Sequence, residues 1–158
     1  MELYALELIQ NGKRTDKREF DQFRDIEIKE NIIEKAEGSA HVRLGNTQVI
    51  VGVKMGIGTP FPDTPNEGVL SVSTEFTPLA SPDFETGPPG EDAIELSRVV
   101  DRGIRESKTI EMEKLVITPG EKVWSVFVDI YIIDNHGNLL DAAALAALSA
   151  LLNARMPK

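Results

Sequence analysis

An α+β domain is the fold class this sequence predicts, and three observations carry the prediction. The chain has 158 residues, 41% of them hydrophobic and 27% charged. That is the size and mixture of one globular domain, able to bury about two-thirds of its unfolded surface. Apolar residues recur with period two across 26–53, 69–77, 114–118 and 122–133, and with helical period across 3–11, 91–108 and 139–155. The strand runs come in groups between the helices, which disfavours a doubly wound parallel sheet.

The first helix is expected over residues 3–11, from Leu3, Leu6 and Ile9, with Gly12 ending it. Lys13–Glu19 is a mixed-charge arm, followed by Phe20 and Phe23 as two aromatic anchors. Ile26 and Ile28, then Ile32-Ile33, predict a strand that loses regularity towards its end. Ala40, Val42 and Leu44 alternate with His41 and Arg43, and Val49, Val51 and Val53 resume after Gly45-Asn46. Strand, turn pair, strand is a hairpin. Residues 56–68 hold three prolines and three glycines and predict a loop; Leu70, Val72 and Phe76 then share one phase of a strand.

A second loop, 78–90, contains Pro78, Pro82, Pro88 and Pro89. Glu91-Asp92 opens the second helix and Arg105 and Lys108 lie in its last turn, in keeping with the helix dipole. Ala93, Leu96, Val99, Val100, Gly103 and Ile104 form its expected apolar face. Pro119-Gly120 joins two further strands, and 134–138 is a turn. The last helix, Leu139 to Arg155, is apolar nearly all round, so burial on several sides is expected.

Composition excludes several functions. With no cysteine, disulfides and thiolate-held metals are ruled out, and two histidines are too few for a His-rich metal site. The longest apolar run, 142–154, has 13 residues, where crossing a bilayer takes about 20. The N-terminus lacks the features of a secretory signal. A soluble, cytoplasmic protein without a membrane partner is the expectation. A net charge of −9 argues against a broad nucleic-acid-coating surface but leaves room for a local basic site.

Among chemistry-bearing residues, Asp63, Asp83, Glu85, Asp101, Asp129, Asp134 and Asp141 show no spacing that marks a general acid–base pair. They are expected in loops and caps. His41 and His136 have no neighbouring triad partners, so structural or surface roles are expected for both. Gly137-Asn138 precedes a helix whose free N–H groups could hold phosphate, but Leu139 and Leu140 bring no cation, and Asn138 is the expected helix cap. The strongest local signal is Arg98, Arg102 and Arg105, at i, i+4 and i+7 on one helix side. Three guanidiniums so placed can grip successive phosphates. Glu95 and Glu106 offer the competing explanation of ordinary helix ion pairs.

Four stretches together resemble the RNase PH family, and within it the non-catalytic ring subunits of archaeal exosomes. They are Glu37–Ile50 (EGSAHVRLGNTQVI), Pro78–Pro82 (PLASP), Ile94–Ser107 (IELSRVVDRGIRES) and Gly120–Asp134. The resemblance runs from about Leu3 to the chain end. It implies a ribosomal-protein-S5-domain-2-like domain, with a mixed sheet and packed helices. It also implies a heterohexameric ring with a catalytic RNase PH-like paralogue, RNA-binding cap subunits and single-stranded RNA. Such a ring degrades RNA from 3′ to 5′ with phosphate as the attacking group, which the catalytic partner uses, so no cofactor or metal is expected in this chain. RNA contact through Arg98 and Arg102, with Arg105 as a third candidate, follows from the same resemblance.

Active members carry a Gly-Gly-Thr-Arg type phosphate loop where this chain has Gly137-Asn138-Leu139-Leu140. No catalytic residue is therefore expected here. Family members also have a second domain bearing catalytic carboxylates, so residues 1–158 are expected to be the first domain, as an N-terminal helix and arm (1–25) and an α+β core (26–158). The competing expectations are an active phosphorolytic exoribonuclease and a generic α+β protein-interaction domain.

Overall fold

The computed structural model describes residues 2–157. Six strands form one mixed sheet: β1 (Ile26–Glu30), β2 (Gly38–Leu44), β3 (Thr47–Gly58), β4 (Val69–Phe76), β5 (Val116–Thr118) and β6 (Lys122–Asp134). The order across the sheet is β1-β2-β3-β6-β4, with β5 against the start of β6. Only β4 runs parallel to its neighbour; the other pairings are antiparallel. The helices are α1 (Glu2–Gln10), α2 (Glu91–Glu106) and α3 (Leu139–Asn153).

The alternation read in the sequence sets the two faces of the sheet. Val49, Val51 and Val53 of β3 and Val126, Val128, Ile130 and Ile132 of β6 point inward and are buried. Helix α3 lies against β1, β2 and β3, and α2 lies against β4 and beside α3. The opposite face carries Phe127, Asp129 and Tyr131 with Ser73, whose hydroxyl donates to Asp129 Oδ1 at 2.7 Å. The hairpin forms as expected. Gly45 has φ 61° while Asn46 keeps negative φ, the pattern of a type II′ turn whose twist suits antiparallel strands.

Several boundaries differ from expectation, each for a local reason. Asn31 adopts φ 54° and ends β1, so Ile32-Ile33 fall in the following connection. Strand β3 continues to Gly58 because Gly56–Gly58 pair with Val123–Ser125, which shortens the expected 56–68 loop from its front. Residues Met112–Leu115 form a 3-10 turn ahead of β5, and α3 stops at Asn153 because Ala154 is extended.

Three expectations about burial are corrected. Phe20 and Phe23 are 56% and 75% exposed, so neither is the buried anchor expected. On α2, Ala93, Leu96, Val100 and Ile104 are buried, but Val99 and Gly103 turn outward. At 100° per residue, Val99 sits about 100° from the centre of the buried stripe. Helix α3 buries Ala142, Ala143, Ala146, Ala147 and Ala150, while Ala144, Leu140, Leu148 and Leu152 stay exposed, so one side of it remains uncovered. Helix α1 exposes Tyr4, Leu6 and Ile9; the Leu3 side chain lies outside the described side chains.

The β2 start is fastened through Glu37. Its carboxylate accepts from Lys54 Nζ at 2.8 Å and from the Met55 backbone N–H at 2.9 Å. Chiefly the Lys54 hydrogen bond, and then the Met55 amide, hold the Glu37 carboxyl below its ordinary value of 4.5 against the opposing effect of burial. A carboxyl depressed in the folded state stabilises above its unfolded pKa and loses that contribution as pH falls through the folded one. Wild type is therefore expected to unfold at higher urea than Glu37→Gln at neutral pH. The gap should close as pH drops below about 4.5, read from urea midpoints across a pH series.

Candidate nucleic-acid interface

Helix α2 presents its arginines differently from one another, although their spacing makes them look equivalent. Arg98 is exposed and has no carboxylate within 4.0 Å among the described residues; Glu95 does not pair with it. Arg102 is 81% exposed and lies 3.9 Å from Glu106, at the limit of an ion pair. With glutamate C-terminal to the cation, that pairing has the weaker orientation on a helix. Arg105 is engaged: Nε donates to Asp101 Oδ2 at 2.7 Å and Nη2 donates to the Leu70 carbonyl of β4 at 2.8 Å.

The residue four positions before each arginine accounts for the difference. It is Ile94 for Arg98, Arg98 for Arg102 and Asp101 for Arg105. Only the last can accept a hydrogen bond from the favoured i,i+4 direction. That signal was available in the sequence. Arg98 and Arg102 make no side-chain hydrogen bond among the described residues, and Arg102 has only its long, exposed contact with Glu106; the two guanidiniums lie one turn apart, separated by about 6 Å of helix rise, on a chain of net charge −9. Each can donate in a planar fork to phosphate oxygens.

The α3 start is built tightly. Gly137 and Asn138 both have positive φ, 83° and 57°. Buried Thr47 donates from Oγ1 to the Gly137 carbonyl at 2.8 Å and accepts from the His136 N–H at 3.1 Å. Arg24 Nη1 donates to the same carbonyl at 3.0 Å. Sequence reasoning found no cation here because Arg24 comes from another element, 113 residues away. Asn138 holds the cap position but caps nothing with its side chain, donating instead from Nδ2 to Asp141 Oδ2 at 2.9 Å. Leu139 and Leu140 follow, as expected, without a donor.

Two hollows flank these elements, the second of them at the α3 start, where Arg24 and Asn138 line it. A cleft of about 800 Å³ between β4, the 78–90 loop and the α2 start is lined by Glu75, Asp83, Glu85, Glu91, Asp92 and Tyr131 among others; its acidity repels an RNA backbone. A groove of about 360 Å³ contains Arg14, Arg18, Phe20, Phe23 and Arg24. Its arginines are occupied, with Arg18 Nη2 at 2.7 Å and Arg14 Nε at 3.3 Å from Asp16. The Arg18 hydrogen bond holds the Asp16 carboxyl below the usual range. His136 pairs with Asp134 at 3.2 Å on the surface, and His41 Nε2 is buried without a partner. Among the described residues no group of three or more His, Asp or Glu side chains could hold a metal ion, and no helix is long and apolar enough to cross a membrane.

Residues 22–157 match the family described as 3′ exoribonuclease family, domain 1. The exosome complex component Rrp42 of Archaeoglobus fulgidus is 61% identical over 154 residues, 98% of this chain and 60% of its own length. The Rrp42 component of Thermococcus kodakarensis is 57% identical over 155 residues, covering 98% and 57% respectively. A solved Archaeoglobus fulgidus exosome with RNA bound to the active site contains a chain that superposes with a TM-score of 0.95 at 61% identity, over 98% of this chain and 61% of that one. The chain thus spans about three-fifths of the length of these relatives.

Proposed function

Because the chain belongs to the RNase PH family of 3′ exoribonucleases, we propose that it is a non-catalytic, RNA-contacting subunit of an exosome-type hexameric ring. In that ring a catalytic paralogue carries out phosphorolytic 3′-to-5′ RNA degradation. Phosphate attacks the terminal linkage, and a nucleoside diphosphate leaves. This chain forms the first of two domains, needs no cofactor of its own and works in the cytoplasm beside RNA-binding cap subunits. Its relatives are named as exosome components, which supports the assembly.

The observation that carries the RNA role is the exposed Arg98–Arg102 pair on α2, held by nothing stronger than the 3.9 Å contact of Arg102 with Glu106. Leu139 and Leu140 stand where active members of the resembled family place a hydroxyl and a guanidinium. The nearest cation, Arg24, is engaged by the Gly137 carbonyl, which supports a silent site against the alternative of an active enzyme.

Replacing Arg98 and Arg102 together with Glu, in the ring assembled with a catalytic paralogue, is expected to weaken binding of labelled oligoadenylate at least about tenfold. The salt dependence should flatten by about 1.4 in log–log slope, two phosphate contacts at about 0.7 each. The partner's phosphorolysis should slow while assembly persists. A mutant ring that forms normally and keeps both affinity and slope would make the arginines solvated surface only.

A further inference from the structure

We propose that Arg105 is a positioning residue for the Arg98–Arg102 pair, and that α2 is fastened to the edge strand β4 by two polar ties that bracket the pair; the inference rests on the RNA role just proposed. One tie is the Asp101–Arg105–Leu70 buckle, with its 2.7 and 2.8 Å hydrogen bonds. The other joins the hydroxyls of Ser97 and buried Thr74, 2.9 Å apart. In sequence the ties fall at 97 and 105, and the exposed arginines at 98 and 102 lie between them.

The geometry of the two ties is self-consistent. Eight helical residues from Ser97 to Arg105 advance about 12 Å. Four strand residues from Thr74 to Leu70 span about 13 Å. The helix therefore lies antiparallel along β4 with both ties unstrained, about two turns apart on the same flank. Among the described residues no strand lies beyond β4, so its outer carbonyls have no ladder partner on that side, and Arg105 supplies a donor for one of them.

Such ties have a reason to exist here. The helix packs through a narrow stripe of Ala93, Leu96, Val100 and Ile104, and apolar contact is non-directional. It resists separation better than it resists a roll about the helix axis. Arg98 and Arg102 sit on the side away from that stripe, so a small roll displaces their guanidiniums most. Hydrogen bonds on the flank are directional and fix the roll. Around the axis Arg105 lies only about 20° from Arg98, close enough to contact the same strand of RNA. Its engagement with β4 leaves the phosphate contacts to the other two.

A mutant cycle in the assembled ring tests this, with labelled oligoadenylate as the probe and binding measured across a salt series. In the otherwise native protein, Arg105→Met is expected to lower affinity of the order of three- to tenfold. Ser97→Ala, which removes the other tie without altering charge, is expected to act in the same direction. Arg105→Lys, which can still reach one of the two acceptors, should restore part of the loss. With Arg98 and Arg102 already replaced by Ala, Arg105→Met should change nothing further. If Arg105→Met costs as much in that background and flattens the salt slope by about another 0.7, Arg105 holds phosphate itself and the proposal is overturned. Native affinity in both single variants, alongside a clear loss in the Arg98/Arg102 double mutant, overturns it too while leaving the RNA role standing. Should the Arg98/Arg102 replacement itself be silent, the RNA role fails first.

Discussion

Gly38→Ala is expected to cost about 3 kcal/mol or more, the upper range of overpacking effects, and to leave little soluble folded protein. A Cβ at position 38 would meet the Ala150 carbonyl oxygen of α3 and stand 2.7 Å from Ala154 Cα. Both obstacles are backbone, so no side-chain rotation relieves them. The α3 end would have to lift off the β2 start, where Asn153 also bonds the Ser39 N–H and carbonyl at 3.1 Å each. The same substitution at Gly103 supplies the control. That site is inside a helix, and beyond its chain neighbours and the helix's own backbone nothing lies within 4 Å of the added carbon, so Gly103→Ala should stabilise by about 0.5–1 kcal/mol. Thermal melts of the two variants should move in opposite directions, and a Gly38→Ala protein that melts like wild type would mean that the α3–β2 contact is much looser than described.

Ile130→Ala is the second large effect, expected at about 2–5 kcal/mol. Ile130 is 1% exposed at the middle of β6, between Val51 of β3 and Thr74 of β4. Removing three carbons there leaves a cavity that two flanking strands cannot close. Phe127, three residues earlier on the same strand, faces the other side and is 42% exposed; Phe127→Ala should cost less than half as much despite deleting more atoms. Urea unfolding of both, with unchanged slope, would separate position from side-chain size. Single-domain stabilities run at about 5–15 kcal/mol, so either Gly38 or Ile130 replacement removes a large share.

What could be read in advance followed the range of the interactions involved. The β2–β3 hairpin and α2 are specified by residues within a few positions of one another, and they form close to where the periodicity puts them. The place of β6 between β3 and β4 is set by contacts between segments distant in the chain, which period-two patterning does not rank. Burial failed for Phe20, Phe23, Val99 and the outer leucines of α3 because apolar residues are not obliged to be inside. At the candidate site, the helical spacing of three arginines was legible, and so was Asp101 as a helix neighbour of Arg105. The Leu70 carbonyl and the approach of Arg24 to Gly137 were not, since each depends on how separate elements come to lie together.

The central position of β6 has a consequence in time. The strand ends at Asp134, and until it exists β3 has a neighbour on one side only and β4 has none. During synthesis, the interval between completing β3 at Gly58 and completing β6 is roughly 4–15 s at ordinary elongation rates. Through that interval the valine-rich face of the β2–β3 hairpin has neither its inner neighbour nor the α3 alanines to cover it. Long-range pairing of this kind also raises contact order and slows closure once the chain is complete. The nascent chain therefore holds the valine-rich surface of this domain open for seconds, and the period of greatest risk comes before helix α3 has been made.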